Sequence, residues 1–495
     1  MTSVQSKQTT FESLNPATDE VVGTHPVHTA EEVEAAVRRA EAAAAWWDSL
    51  GFAGRAERLQ RWKGTMTRRA AQLADVVHAE TGKPHADAML EIILAIDHTA
   101  WAAKNAKKVL GPHRRSPGLL MSNQAASVEY HPLGVVGVIG PWNYPVFTPM
   151  GSIAYALAAG NAVVFKPSEY TPGVGEWLVR TFAEAVPEQP VLQLVTGYGE
   201  TGAALCRAGV AKIAFTGSPA TGRKIMAACA ETLTPVLIEA GGKDAMLVDA
   251  DADVDAAADG AVWGGMSNAG QTCTGIERVY VHEKVYDRFV AAVTEKAAAV
   301  RPGYDDSATI GPITMPAQLA IIRRHITEAL AAGGRAVVGG ADAVGERFVQ
   351  PTVLVDVPED ASAVREETFG PTLTIAKVRD MDEAVAKAND SKYSLGGSVF
   401  AKARGMELAR KLRSGMTSVN SVISFAGVPS LPFGGSGDSG FGRIHGPEGL
   451  REFGRAKAIT RQRFTAPLTL TSFARGPKVD AQVAKLITLL HGRRR

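Results

Sequence analysis

The sequence predicts an α/β fold, and three observations support this prediction. Short apolar segments typical of β-strands occur at residues 133–140, 161–165, 191–195, 212–217 and 235–240. Helix-like stretches separate them, which is the pattern of βαβ units around a parallel sheet that is buried on both faces. A second alternation of strands and helices follows over about 250–430. Because such sheets bind ligands beyond the carboxyl ends of their strands, we expect functional residues at those ends.

The regions before and after these alternations have a different character. Residues 30–110 predict helices, since they are rich in Ala, Glu and Arg and carry apolar residues at helical spacing. With 495 residues, the chain is long enough for two to four domains. The tail 467–495 includes "VDAQVAKLITLLHGRRR". This segment fits an ordinary surface helix, or a basic amphipathic helix that touches a membrane or a neighbouring subunit.

Composition excludes several classes of function. The formal net charge of +2 gives no reason to expect a nucleic-acid partner. No apolar run is long enough for an integral membrane span, and the N-terminus lacks the apolar core of a signal peptide. Three cysteines at non-metal spacing predict neither a disulfide framework nor a metal site. We therefore expect a reducing compartment, the cytoplasm.

The strand end "VVFKPSE" (163–169) carries a candidate cofactor-binding pair. Lys166 and Glu169 follow the apolar run directly and could hydrogen-bond the two hydroxyls of a ribose. The same residues could equally be a solvated lysine and an ordinary glutamate at the start of a helix.

Two glycine-containing strand ends are candidate phosphate sites. "FTGSPATGR" (215–223) places Gly217 and Ser218 where a helix opens, which suits a pyrophosphate, although Ser218 could also be a simple N-cap. "GYGETG" (197–202) matches GxGxxG and contains Gly199. It follows the third strand, however, and lacks the downstream acid of a dinucleotide fingerprint, so a tight turn is an equal alternative.

Two residues are candidates for the chemistry itself. Glu239 closes the apolar strand "VLIE", where burial would raise its pKa towards that of a general base, unless an Arg or Lys pairs with it. Cys273 lies in the loop-like "GQTCTG", rich in backbone donors that could stabilise a thiolate. Cys206 and Cys229 instead lie in helix-like apolar segments typical of structural cysteines, a role that also remains open for Cys273.

Two further segments complete the candidate site. In "PWNYP" (141–145), Asn143 follows the first strand and could donate its amide to an oxyanion, or simply stabilise the turn. "REETFGP" (365–371) offers Glu367 and Phe369 beside a Gly-Pro turn.

Taken together, these motifs resemble the aldehyde dehydrogenase superfamily over nearly the whole chain. "LNPATDEVVG", "PWNYP", "KPSE", "FTGSPATG", "IEAGGK", "GQTCTG", "EETFGP" and "PFGGSGDSGFGR" occur in the family order, and the spacing from Glu239 to Cys273 also matches. "FGGSGDSGFGRIHG" is similar to the fatty- and aromatic-aldehyde branch, whose members often have a histidine near His445.

The resemblance implies oxidation of an aldehyde to a carboxylic acid with hydride transfer to NAD, or to NADP, which Lys166 leaves open. Cys273 would be the nucleophile, Asn143 the oxyanion donor, and Glu239 the base that activates water to hydrolyse the thioester. A carboxylate at Glu169 favours NAD over NADP. The implied cofactor-binding residues are Ile139, Trp142, Lys166, Ser168, Glu169, Gly199, Gly217, Ser218, Gly222, Glu367 and Phe369.

The resemblance also implies the architecture. A Rossmann-like NAD(P)-binding domain would comprise 1–122 and 141–246, followed by an α/β catalytic domain over 247–430. A small β oligomerisation arm, 123–140 with 456–466, would pair subunits into a homodimer or homotetramer. Residues 431–455 would return to the cofactor domain.

The substrate is the least determined feature. Candidate pocket residues are Tyr144, Phe147, Thr272, Thr274 and Phe425. No Arg or Lys stands out among these segments, which favours apolar or aromatic aldehydes over succinate semialdehyde or another carboxylated aldehyde. Ser152 and Ile444 replace the Lys and the acid of a relay proposed in many members. A CoA-acylating enzyme and a non-catalytic binding protein on the same fold are the alternative functions.

Overall fold

A computed structural model describes residues 9–466, 471–473 and 475–492. Its strands are β1 (Thr10–Leu14), β2 (Val21–Pro26), β3 (His113–Arg115), β4 (Gln124–Pro132), β5 (Val135–Ile139), β6 (Ala162–Lys166), β7 (Leu192–Leu194), β8 (Lys212–Gly217), β9 (Val236–Ala240), β10 (Asp244–Val248), β11 (Ile276–His282), β12 (Arg335–Val338), β13 (Thr352–Val355), β14 (Thr372–Val378), β15 (Gly397–Phe400), β16 (Ser418–Val419), β17 (Gly440–Phe441) and β18 (Gly454–Gln462). Its α-helices are α1 (Ala30–Ser49), α2 (Gly51–Arg68), α3 (Ala70–Thr81), α4 (His85–Leu110), α5 (Phe147–Ala159), α6 (Pro172–Ala185), α7 (Gly199–Arg207), α8 (Pro219–Ala230), α9 (Val254–Met266), α10 (Glu283–Ala298), α11 (Ala317–Ala331), α12 (Ser362–Arg365), α13 (Met381–Asn389), α14 (Gly405–Lys411), α15 (Gly446–Glu452) and α16 (Pro477–His491).

The first alternation of strands and helices forms a six-stranded sheet in the order β17-β9-β8-β5-β6-β7. β5 to β9 run parallel, as predicted, and β17 joins β9 antiparallel. All five residues of β5 and of β6 are buried, which explains their continuous apolar sequence. The carboxyl ends of β5, β6, β8 and β9 therefore meet at one edge of the sheet.

The second alternation forms a seven-stranded sheet in the order β12-β13-β14-β11-β10-β15-β16. Its strands are parallel except for the β12–β13 pair. The α/β fold class is thus confirmed. The helical region before β3 also forms as predicted, with Trp47 and Trp62 fully buried and bonded to Leu157 O (2.8 Å) and Thr181 Oγ1 (3.2 Å).

The chain divides into two compact units. One contains both large sheets and comprises the described residues up to Leu110 together with Pro132–Arg455. The other comprises Gly111–His131 and the described residues from Ala456 onward.

The second unit carries a three-stranded sheet, β18-β4-β3, in which β18 is an edge strand, and helix α16. The predicted arm segment 123–140 is wrong at its C-terminal end, because the fully buried apolar residues 135–139 belong to the six-stranded sheet. The arm's sheet also begins earlier than predicted, at β3. Within the described ranges, no helix is long and apolar enough to cross a membrane.

Candidate active site

The carboxyl ends of β5, β6, β8 and β9 open into a cleft of about 390 Å³, the size of a small-molecule or cofactor site. It is lined by most of the predicted residues: Ile139, Trp142, Asn143, Lys166, Ser168, Glu169, Gly199, Gly217, Ser218, Glu239, Cys273, Glu367 and Phe369. Gly222 is a different case, since it does not line the cleft. A Cβ there would lie 3.3 Å from Ile238 Cγ2, so Gly222 lets α8 pack closely on β9.

Lys166 and Glu169 lie together at one end of the cleft. Lys166 Nζ donates to Pro167 O (3.0 Å) and lies 4.0 Å from Glu169 Oε2. Burial lowers the pKa of Lys166, while Glu169 is partly exposed to solvent. A buried ammonium beside a carboxylate is a suitable pair for the two hydroxyls of a ribose.

The end of β8 meets the start of α8 at the same cleft. Ser218 is the N-cap, and its Oγ accepts a hydrogen bond from Thr221 N (3.2 Å). The N-cap alternative is therefore realised, but Ser218 also lines the cleft, so the helix N-terminus faces the space where an anion would bind.

Glu367 and Phe369 line the cleft on a loop that is held in place by hydrogen bonds to Glu277. The Glu277 carboxylate accepts hydrogen bonds from Thr368 N (2.8 Å) and Phe369 N (3.0 Å) and pairs with buried Lys243. Glu367 Oε1 accepts from Gly242 N (2.9 Å). Sequence reasoning missed Glu277, because nothing in "GIERV" marks its carboxylate as buried.

Glu239 is the penultimate residue of β9 and lines the cleft, and its carboxyl group is almost completely buried. Among the described residues, neither of its oxygens has a hydrogen bond of normal geometry. Burial raises the pKa of Glu239 to about 7, and the neighbouring Cys273 thiol and Thr216 hydroxyl offset part of this rise. Among the described residues, Glu239 is therefore not paired with an Arg or Lys, which was the alternative that the sequence left open.

Cys273 follows a short turn in which Asn268 and Ala269 have left-handed backbone angles, with φ of 52° and 55°. This turn brings the thiol up to Glu239. Removal from bulk water raises the pKa of Cys273 well above its ordinary value, and the neighbouring Glu239 and Glu367 carboxyls add to the rise. The thiol therefore needs a base to ionise it, and Glu239 is the adjacent candidate.

Asn143 is held in place by a buried ion pair that sequence reasoning also missed. Its backbone oxygen accepts hydrogen bonds from Lys83 Nζ (2.7 Å) and Asn268 Nδ2 (3.0 Å), and its own Nδ2 donates to Gln271 O (2.9 Å). Lys83 pairs in turn with Glu91 at 2.8 Å, with both side chains buried. One N–H of the Asn143 amide remains for a ligand in the cleft.

A second cavity, of about 80 Å³, reaches Cys273 from another direction. The predicted pocket residues Tyr144, Phe147, Thr272 and Thr274 line it. Its remaining walls are Asp87, Leu90, Glu91, Leu94, Thr148, Trp263, Ser267, Asn268, Ile423, Ala426 and Phe433. Among the described residues, Cys273 is the one that lines both cavities.

Phe425 is a correction to the predicted pocket. Ile423 has a left-handed backbone (φ 55°), which turns the loop so that Ile423 and Ala426 line the cavity. Phe425 is buried beneath them, with its ring 6.3 Å from that of Phe433. Phe433 takes its place in the wall.

Beside this wall lies an aromatic cluster around two buried histidines. The rings of His98 and His445 are 4.0 Å apart, and Phe147, Tyr155 and Phe433 surround His445. His98 Nε2 bonds to Ala426 O (3.0 Å), whereas His98 Nδ1 and both nitrogens of His445 have no hydrogen-bond partner in the described part of the chain. Ser152 and Ile444, at the positions of the missing relay, are both buried.

In the ranges that the structure describes, no group of three or more His, Cys, Asp or Glu residues could hold a metal ion. The three cysteines are unpaired.

Comparison with known proteins agrees with this geometry. The chain is 36% identical over 447 residues to a putative succinate-semialdehyde dehydrogenase [NADP(+)] of Mycolicibacterium smegmatis, covering 89% of this chain and 86% of that one. It is also 36% identical over 449 residues to a 4,4'-diapolycopene aldehyde oxidase of Methylomonas sp, covering 90% and 84%. An NAD-dependent aldehyde dehydrogenase from Sinorhizobium meliloti superposes with a TM-score of 0.88 at 33% identity, over 94% and 93% of the two chains.

The profile of the aldehyde dehydrogenase family matches residues 3–459. That range contains both cavities, the cysteine between them and the buried glutamate beside it. The chain belongs to the aldehyde dehydrogenase family.

Proposed function

We propose that this protein oxidises a neutral, apolar aldehyde to its carboxylic acid with NAD(P), using Cys273 as nucleophile and Glu239 as base. The observation that carries the proposal is the position of Cys273, whose thiol lies between two separate cavities and beside a carboxyl group with a pKa of about 7.

The cleft suits a nicotinamide dinucleotide. Lys166 and Glu169 would hold the adenosine ribose, Ser218 at the α8 N-terminus the pyrophosphate, and Glu367 the nicotinamide ribose. When bound, the nicotinamide supplies the hydride acceptor. The Glu169 carboxylate favours NAD, because it would repel a 2′-phosphate, while Lys166 leaves NADP as an alternative.

Cys273 and Glu239 begin the reaction. The half-buried thiol is protonated at neutral pH, and an ionised Glu239 is placed to accept its proton. The sulfur then attacks the aldehyde carbon to give a thiohemiacetal. The spare N–H of Asn143 and the backbone N–H of Cys273 stabilise the developing oxyanion, a contribution of about 10²–10³ in rate for one donor.

Glu239 releases the proton of the thiol to solvent, and it acts again after oxidation has left a thioester on Cys273. It takes a proton from a water molecule, the resulting hydroxide attacks the thioester carbon, and the carbon–sulfur bond breaks to release the acid. A carboxyl group with a pKa near the working pH suits both steps, since it must accept and return a proton.

The cavity on the other side of Cys273 indicates the class of aldehyde. Its described walls are mostly apolar, contain no Lys or Arg, and include the acidic residues Asp87 and Glu91. Lys83 lies behind the Tyr144 ring and is paired with Glu91. A substrate carboxylate would find no cation there, so we favour apolar or aromatic aldehydes. The similarity to the diapolycopene aldehyde oxidase supports an apolar substrate. The similarity to the putative succinate-semialdehyde dehydrogenase supports the alternative, a carboxylated aldehyde.

A panel of aliphatic, aromatic and carboxylated aldehydes, with NAD and NADP, tests the proposal through formation of the reduced cofactor. Cys273→Ala should abolish turnover and retain cofactor binding, whereas Cys206→Ala, at a buried cysteine outside the site, is the matched control. Unchanged turnover in Cys273→Ala would contradict the proposed mechanism. A higher kcat/KM for succinate semialdehyde than for apolar aldehydes of similar length would overturn the substrate class. Dependence on CoA would identify an acylating enzyme, and no turnover at all a non-catalytic protein.

For the assembly we propose a homodimer or homotetramer formed through the edge strand β18, since nearly all of its residues are exposed. The unpaired cysteines suit a reducing compartment, the cytoplasm. Light scattering on the purified protein measures the oligomeric state, and a monomer at all concentrations would contradict the proposed homodimer or homotetramer.

A further inference from the structure

Charge is divided very unevenly between the two compact units. The second unit, Gly111–His131 with residues from Ala456 onward, contains eleven Lys and Arg residues and two acids, which gives a formal charge of +9. The rest of the chain holds 42 basic and 49 acidic residues, a charge of −7. The modest overall charge of +2 therefore hides a strongly cationic unit.

The cationic side chains of this unit face solvent. All those that the structure describes are exposed: Arg114, Arg115, Lys457, Arg461, Arg463, Arg475, Lys478 and Lys485. The two acids are already engaged, Glu129 with His131 at 2.8 Å and Asp480 with Arg475 at 3.3 Å. Within the described ranges, no acid lies within ion-pair distance of Lys478 or Lys485, so their charge is available to a partner.

The same unit exposes apolar side chains. Helix α16 contains no buried residue. At 3.6 residues per turn, Val479, Val483, Leu486 and Leu490 share one face, with Ile487 beside them and Lys478 and Lys485 on the flank. Val479, Val483 and Leu486 are half-buried, whereas Ile487 and Leu490 are 44% and 40% exposed, and Leu489 is 69% exposed. Phe464 and Phe473, before the helix, are also exposed. After the helix the sequence reads Arg493, Arg494 and Arg495.

We propose that the second unit binds the surface of an anionic lipid bilayer, with α16 lying in the interface. An exposed helix with an apolar face and flanking lysines matches the physics of such binding, in which apolar burial and attraction to anionic headgroups add together. A second copy docked on α16 is disfavoured, because Lys478 and Lys485 of the two helices would repel each other, whereas the proposed pairing through β18 does not use this helix. Nucleic acid would use the cations and leave the aliphatic face exposed to water.

The test is vesicle co-sedimentation of the full-length protein. We expect binding to vesicles of phosphatidylcholine with phosphatidylglycerol, weak binding to phosphatidylcholine alone, and release at high salt. Lys478→Gln/Lys485→Gln should weaken binding by about fivefold for each lysine. Ile487→Gln/Leu490→Gln should weaken it at least as much at unchanged charge. Met406→Gln and Lys107→Gln, at exposed positions of the other unit, are the matched controls.

Circular dichroism and turnover of a water-soluble aldehyde should be unchanged in all these variants, so a loss of vesicle binding reports the surface alone. The proposal is wrong if the protein does not bind anionic vesicles at low salt. Equal binding by Ile487→Gln/Leu490→Gln would indicate a surface for polyanions such as nucleic acid. If the protein does not bind vesicles, and sedimentation velocity shows that Ile487→Gln/Leu490→Gln changes the oligomeric state, the partner of this surface is a second copy of the chain. Neither result affects the catalytic proposal.

Discussion

The imidazole of His445 packs directly against Gly151 in α5. A Cβ at Gly151 would come within 2.5 Å of His445 Nε2 and 3.0 Å of Ile444 Cδ1. Both neighbours are buried, and Phe147 and Phe433, next to His445, line the second cavity. The glycine thus lets the histidine cluster support the wall of the second cavity.

This contact predicts a sign reversal for Gly151→Ala. In an exposed helix, replacing Gly by Ala stabilises by about 1 kcal/mol. Here we expect a loss of about 1–3 kcal/mol, because the enclosed imidazole cannot move aside. In a His445→Ala background the same substitution should become neutral or stabilising. Urea unfolding of the four proteins measures the coupling, and additive effects would show that the contact does not matter.

The two buried histidines predict that the free energy of unfolding falls as the pH is lowered below 6.5. Burial lowers the pKa of His98 to about 4 and that of His445 well below 6.5. Above pH 6.5 both histidines are neutral in the folded and unfolded states, so they do not change the free energy of unfolding there. Below it only the unfolded state gains these protons, and stability should fall by roughly 1.4 kcal/mol per pH unit for each histidine. The free energy of unfolding should fall less steeply from pH 6.5 to 5 in His98→Asn; an unchanged slope would contradict the assignment.

Lys83 predicts an effect on catalysis at a distance from the reacting atoms. Lys83→Met removes the bond to Asn143 O and leaves the Glu91 carboxylate unpaired, so the oxyanion donor should be misplaced. We expect kcat to fall by about 10²-fold, as for loss of a donor, with cofactor affinity unchanged. Steady-state kinetics and a cofactor titration measure the two quantities. Lys104→Met, at an exposed position on α4, is the control; a defect in KM alone would contradict the role.

Glu239 predicts the pH profile of turnover. With a pKa of about 7, its base form is lost as the pH falls, so activity should decrease below pH 7 by up to tenfold per unit. Glu239→Gln should produce a slower burst of reduced cofactor, because the Cys273 thiol has lost its base, and then stop, because the thioester that forms is not hydrolysed. Rapid mixing distinguishes this outcome from slow, linear turnover without a burst.

The sequence was most informative where local pattern determines structure. Buried strands such as Lys212–Gly217 were predicted within one or two residues, because continuous apolar runs have few alternatives. Residues whose role depends on distant partners were missed. Lys83 lies 60 positions before Asn143, and Glu277 is bonded to a loop some 90 positions later. Phe425 was wrongly placed for a similar reason, since its direction depends on the left-handed Ile423, which no residue preference signals.

The two cavities that meet at Cys273 have a kinetic consequence. In the proposed reaction, aldehyde and dinucleotide would approach the thiol from separate openings, so neither would occupy the path of the other. The acid can leave through the apolar opening while the nucleotide is still in its cleft. The shape of the protein would therefore not fix the order in which the acid and the reduced cofactor leave.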